Sequence, residues 1–568
     1  MSAGFAVPCS ETSVARCSDE RSPRTLCPVI LRPDVGPELG EGTPRDGSLL
    51  NALTGLFNQD RRGRAAKLYG SLKGLREILR RKARLRMAVP FLVLALCCSA
   101  GAFAQDSWQK IPIPPLPKFN PQLPTKVALP NGMVIFLQED HELPLISATA
   151  LIKGGSSSEP AEKVGLVSLY AASWRTGGTE RKTGDQLDDE LEALAAKVET
   201  SGAVDWTSVS LNCLKENFDK VFADFMDVLQ HPAFRDDKIA LAKRRLKAAI
   251  ARRNDEVESI AGREAAKLGY GPNSPYGRET EYWTVDAVTR QDLVDWHKRF
   301  FAPNHIIFGI VGDFDSKEME DRLRQAFGGL PKGMPYEPPK IPVPGPKPGI
   351  YLAEKDDVNQ SDISMIGLGI RRDNPDYFAV RVLNEVFGGG FSSRLFKNLR
   401  SKQALAYEVG GGIGAGYNHP GLTDISMGTK SASTGKAIEG LYQQIDDLLN
   451  NPPTDDEIKQ AKDSILNGFV FAYDSPEKIL NEQLTYEIYG YPANFLEIFR
   501  DAVEKVTIAD VNRVAHKYIH KDKLAVLVVG NPHEFDKPLS TFGQVTKLDI
   551  SIPTEPPGGK TAVAAGKE

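Results

Sequence analysis

Beyond residue 104 the chain carries a single cysteine. Cys9, Cys17, Cys27, Cys97 and Cys98 all precede that point, and only Cys213 follows it. No disulfide can therefore form within residues 105–568. An excess of positive charge is missing there too. Residues 1–86 hold 16 Lys and Arg against 9 Asp and Glu, whereas the remainder holds 54 against 65. A mildly acidic body gives no footprint for nucleic acid. The apolar run after Met87 falls short of the roughly 20 residues that a spanning helix needs. Histidine is sparse, with eight in 568 residues.

What is present is an ordinary globular composition, 41% apolar and 25% charged, in a chain long enough for several domains. Near the N-terminus, RKARLR (81–86) precedes MAVPFLVLALCCSAGAFAQ. A basic flank, a short apolar run and Ala-Phe-Ala before Gln105 predict a signal peptide over 87–104, cleaved after Ala104. Residues 1–86 are rich in Arg, Pro, Gly and Ser without sustained periodicity, and are read as a non-native or disordered extension. A signal anchor remains an alternative, as does a lipid on Cys97, although Leu96 is large for such a site. The expected location is the periplasm.

Further on, YEPPKIPVPGPKPGIYL (336–352) is too dense in Pro and Gly for a helix or a central strand. It predicts a linker at 336–350 between lobes at 105–335 and 351–550, with a polar, disordered tail at 551–568. The two halves look alike. Val288-Thr289, Asp292 and Gly312 match Val506-Thr507, Asp510 and Gly530 at an offset of 218, and ISATALI (146–152) matches SMIGLGI (364–370) at the same offset. Strands come first in each half, then helices (219–229 and 241–254 in the first), then a helix and a strand. The fold class expected is α+β: two homologous lobes, each a mainly antiparallel sheet packed with helices.

The stretch GLVSLYAASWRTGGT (165–179) reads as a glycine-bounded, apolar helical run, and of its central residues Ser168, Ala171 and Ala172 two have no reactive atom. Its approach, Gly155-Ser156-x-x-Glu159 and then Gly165, and its Gly-Thr exit resemble the inverted-motif zinc peptidases, which include pitrilysin, insulysin and the mitochondrial processing peptidase. SSRLFKNLRSKQALAYEV (392–409) resembles a stretch that family uses on substrate. The resemblance covers roughly residues 120–545. In such enzymes H-x-x-E-H places two His on one helix face for zinc and a Glu as base on the metal-bound water. Here the resemblance puts Ser168 and Ala172 at the two His positions, Ala171 at the base and Ala249 at the third ligand. Methyl groups bind no zinc, and the histidines offer no substitute: His516 and His520 lack a carboxylate between them. No metal is expected in this chain.

The resemblance also implies that Arg400 and Tyr407 bind the peptide main chain, Arg as a fixed charge with several donors and Tyr as a donor to a developing oxyanion. Residues 393–402 read as a helix with Leu395, Phe396 and Leu399 inward, and Leu405, Tyr407 and Val409 alternate like a strand. The family usually has Gly where this chain has Ala404, which resists a positive φ, so a slightly different turn is expected. Gly388–Gly390 reads mainly as a tight connection. The resulting expectation is a non-catalytic, substrate-binding subunit of an exported heterodimeric zinc peptidase, whose partner carries H-x-x-E-H and the zinc. The alternatives are a non-proteolytic binding or scaffold protein of the same fold, and a free-standing peptidase with an unrecognised metal site.

Overall fold

The computed structural model describes residues 121–556. The N-terminal extension, the signal peptide and most of the tail lie outside the described residues. Among the described residues no helix is long and apolar enough to cross a membrane.

Two six-stranded sheets organise the chain. The first contains β1 (Thr125–Ala128), β2 (Val134–Glu139), β3 (Leu145–Lys153), β4 (Lys197–Gly202), β5 (Trp206–Leu214) and β6 (Ile306–Gly312). Their spatial order is β1-β2-β6-β3-β5-β4. The second contains β7 (Gly349–Glu354), β8 (Gln360–Leu368), β10 (Glu408–Ile413), β12 (Leu422–Lys430), β13 (Ala525–Gly530) and β14 (Val545–Leu548). The two-residue strands β9 (Ile370–Arg371) and β11 (Ala415–Gly416) pair beside it. Its order, read from the far edge, is β14-β7-β13-β8-β12-β10, the topology of the first sheet with β14 in the place of β1. Antiparallel pairings predominate, but β2 pairs β6, β7 pairs β13 and β14 pairs β7 in parallel. Residues 331–348 contain neither helix nor strand.

The duplication is real, but its offset is not constant. Residues β3 and β8 share are 215 apart at both ends, not 218. A three-residue slip inverts every side chain in a strand of period two, so the matched pair Ile146 and Ser364 lie on opposite faces. Ile146 is in the core of the first lobe. On β8 it is Ile363 and Met365 that face the second lobe's core. The 218 offset does hold for the closing helices, α4 (Arg290–Phe300) and α8 (Ile508–Tyr518). The repeated Thr-x-x-Asp is a capping box in both: Thr289 with Asp292, and Thr507 with Asp510.

Five other helices matter for the site: α1 (Leu166–Trp174), α2 (Asp236–Ala251), α3 (Val257–Tyr270), α5 (Tyr377–Phe387) and α6 (Asp455–Ala472). The helix expected at 241–254 starts earlier because Asp236 and Asp237 occupy its first turn, where acidic side chains suit the helix dipole. Its neighbour, expected at 219–229, spans Phe218–Gln230. The lobes exchange helices. Val257, Ile260, Ala261 and Ala265 of α3 form one apolar face, and it packs on Ile366, Leu527 and Val529 of the second sheet. Reciprocally, Leu480 and Leu484 of α7 (Pro476–Tyr489) pack on Phe136, Ile307 and Val311 of the first. Each lobe therefore buries one sheet face only by means of the other's helix.

Candidate functional site

The glycine-bounded stretch forms α1 as expected. Gly165 enters it at φ +100°, and a Cβ there would lie 2.7 Å from Thr280 Cγ2, so glycine is required. Glu159, noted above only as part of a motif, is the cap of this helix. Its carboxylate accepts from the N–H of Gly165 (3.2 Å) and of Val167 (2.6 Å). Burial pushes its pKa up, while the two N–H donors and the Arg278 guanidinium, 3.9 Å away, pull it down. The other side of α1 is core. Trp174 is fully buried and donates Nε1–H to the Val228 carbonyl. The Tyr170 hydroxyl meets His297 Nδ1 at 2.9 Å, and burial drives the His297 pKa down to about 3. His297 is therefore a neutral core residue.

Ser168 and Ala172, one turn apart, are exposed on the opposite face of α1. Ala171 is 7% exposed. Its carbonyl accepts from Thr200 Oγ1 (2.7 Å) on β4, the outer strand of the first sheet. Helix α2 packs against α1, and Leu246 Cδ2 lies 3.4 Å from where a Gly165 Cβ would be. Ala249, three residues beyond Leu246, is exposed. The C-terminal end of α2 is bolted down by Arg253, which pairs with Glu279 (2.9 Å) and Glu281 (3.0 Å). One hydroxyl and three methyl groups do not fit zinc, which binds through thiolate, imidazole or carboxylate. Among the described residues the cluster with metal-holding geometry is Glu354, Asp356 and His533, on other elements.

In the second lobe, Arg400 sits in a wide helical segment, Phe396–Lys402, with π-type hydrogen bonding. Leu395 and Leu399 are fully buried. Phe396 is half-buried, with the Arg400 guanidinium 4.9 Å from its ring centre. The Arg400 guanidinium has no hydrogen-bond or ion-pair partner among the described residues. Tyr407 is 49% exposed. It stands just before β10 rather than within a strand as expected, and its N–H donates to the Gly428 carbonyl at 2.9 Å. The turn between them overturns another expectation. Ala404 does take a positive φ, +53°. It closes the wide helix through Ala404 N–H to Arg400 O and Leu405 N–H to Leu399 O, and these bonds offset an αL strain of about 1–2 kcal/mol for a residue with a Cβ. Gly388 permits a tight connection, since a Cβ there would sit 2.3 Å from the Gly411 carbonyl oxygen of β10.

The base of this corner is rigid. Arg394 is buried and forks onto both Glu457 oxygens at 2.8 Å, and this pairing holds the Glu457 pKa down to about 2. Asp376, before α5, is pushed up by burial. Hydrogen bonds from Lys517, Tyr518 and Arg513, each 2.7 Å, outweigh that and leave it at about 2. Position in the sheet also matters. β4 and β10 are the matching outer strands of the two sheets, so each leaves one row of backbone donors and acceptors unpaired by its own sheet. Sequence alone did not show which strands would be outermost.

Residues 134–270 match the profile of the insulinase family, peptidase family M16, and residues 287–465 match that of the peptidase M16 inactive domain. A non-peptidase homolog, YmxG, of Helicobacter pylori is 24% identical over 411 residues, covering 70% of this chain and 91% of that protein. An uncharacterized zinc protease of Mycobacterium leprae is 21% identical over 404 residues, 70% of this chain and 89% of that one. Among solved structures, a peptidase M16 inactive domain from Pseudomonas fluorescens superposes with a TM-score of 0.66 at 25% identity, covering 73% of this chain and 99% of that one. A protease from Helicobacter pylori has the same fold, with a TM-score of 0.63 at 17% identity over 72% of this chain and all of that one. The chain belongs to the M16 peptidase family, as a non-catalytic member.

Proposed function

We propose that this protein is the substrate-binding subunit of a heterodimeric zinc peptidase whose other subunit supplies the metal. The observation that carries the reading is an exposed, unpaired Arg400 with an exposed Tyr407 at an outer strand, in a chain whose zinc helix is blank. A peptide laid along an outer strand gains main-chain hydrogen bonds. Arg400 and Tyr407 then supply donors for its carbonyls, and a tyrosine hydroxyl suits a developing oxyanion. Zinc chemistry belongs to the partner, which carries H-x-x-E-H. Export belongs to the same proposal, on the basic flank and short apolar run that end at Ala104.

The test is the purified pair. Arg400→Ala combined with Tyr407→Phe should lower kcat/KM for peptide cleavage by ~100-fold, the scale of losing one oxyanion donor. Unchanged cleavage by that variant pair removes the proposal and leaves a binding or scaffold role.

A further inference from the structure

In the second lobe α5 and α6 pack as α1 and α2 do in the first. Because α2 and α6 begin at Asp236 and Asp455, Gly468 holds in the second lobe the place that Ala249 holds in the first. At this position the second lobe is hollow. A cavity of about 410 Å³ opens there, within the size range of small-ligand sites. Tyr377, Phe469, Tyr486 and Phe499 form apolar parts of its wall. Gly468 lines it, and a Cβ at that residue would meet no atom within 4 Å. Glycine weakens a helix interior, and here it gains no close packing in return. Its effect is to keep the cavity open.

Two arginines and two glutamates line the cavity, so its formal charges balance, and what distinguishes them is how each is partnered. Glu385 accepts from Ser464 Oγ at 2.6 Å, and Glu482 is bonded to the Tyr486 hydroxyl. The guanidinium of Arg381, half-buried on α5, has no hydrogen-bond or ion-pair partner among the described residues. Arg372 lies 3.9 Å over the Tyr417 ring. Tyr417 stacks in turn on Tyr489 at 4.2 Å, and the Tyr489 hydroxyl donates to Asp205 of the first lobe at 2.9 Å. One guanidinium is thus held in place and another is free, above an aromatic floor. This arrangement fits a carboxylate attached to a bulky apolar side chain.

We propose that this cavity binds the C-terminal residue of a peptide, with its carboxylate on Arg381 and Arg372 and its aromatic or aliphatic side chain against the aromatic wall. The inference rests on the peptide-handling reading above and adds an anchoring site to it. The test measures binding of fluorescent heptapeptides ending in Phe to the full chain. One peptide carries a free carboxylate, its twin a carboxamide. The free acid should bind roughly tenfold or more tightly, the worth of one charged hydrogen bond. Arg381→Gln should erase that preference. So should Gly468→Leu, which fills the cavity while favouring the helix. Equal affinity for acid and amide overturns the proposal, as does a preference that survives Gly468→Leu. Amide peptides that bind equally but are lost with Arg400→Ala and Tyr407→Phe would sink this site alone, whereas no peptide binding at all would sink both.

Discussion

If α1 and α2 present a vacated zinc site, ligands returned to it should bind zinc. Ser168, Ala172 and Ala249 are exposed, so Ser168→His, Ala172→His and Ala249→Glu should each cost within about 0.5 kcal/mol of stability. Ala171 is best left alone, because it is 7% exposed and its Cβ lies 3.4 Å from where a Gly202 Cβ would be. Histidines four apart on a helix have Cβ atoms roughly 5–6 Å apart, close enough to share one ion. Zinc at about 100 times its Kd stabilises the folded state by about 2.7 kcal/mol. For a body of this size that raises Tm by about 3 °C, and by about twice that if the lobes unfold separately. Calorimetry with zinc and then with EDTA measures the difference. Omitting Ala249→Glu should weaken zinc binding at least tenfold. The reasoning is refuted if the triple variant keeps the parent's circular dichroism yet shows no zinc-dependent rise, or if the parent rises equally.

Three further perturbations test the frame around the site. Glu159→Ala removes two N–H bonds to a buried carboxylate at the start of α1 and should cost about 2–3 kcal/mol in urea denaturation; a loss near zero would discard its role as the cap. Ala404→Gly relieves a positive φ of +53° and should gain up to about 1 kcal/mol by the same measurement, after the entropy of glycine in the unfolded chain is subtracted; a loss would refute the strain. Asp362, on the sheet face that α3 covers, is pushed up to about 7 by burial and then by Asp424 and Glu258. A raised carboxyl contributes stability that is complete below its unfolded value near 3.9 and is lost as pH rises through about 7. Asp362→Asn should therefore stabilise the protein by about 1–4 kcal/mol at pH 8 and leave it nearly unchanged at pH 4; the reverse order would overturn the assignment.

How much of this was legible beforehand depended on the range of the interactions involved. The capping boxes at Thr289 and Thr507 were visible as repeated residues because a cap is set within one helical turn. The equivalence of β3 and β8 was misread by three residues, since two alternating strands match equally well in several registers and only pairing across the sheet selects one. Ala404 was expected to avoid the left-handed region on local grounds. The bonds that close the wide helix outweigh that local preference.

By itself the sequence determined the chemistry that is absent. Ser168, Ala171, Ala172 and Ala249 carry no zinc ligand in any fold, because donor atoms are properties of side chains and not of their arrangement. It also determined the helix that holds the first three, through apolar spacing and its bounding glycines. Tertiary structure decided the rest: which strands became outermost, that Arg400 stands unpaired over Phe396, that Glu159 caps the blank helix, and that Gly468 opens onto a cavity lined by Arg372 and Arg381. The strand order and the cavity join residues far apart in the chain, and the Arg400–Phe396 contact and the Glu159 cap are local pairs whose exposure or burial the fold sets. Exposure, pairing and enclosure depend on what the fold places alongside a residue, and local spacing does not contain that information.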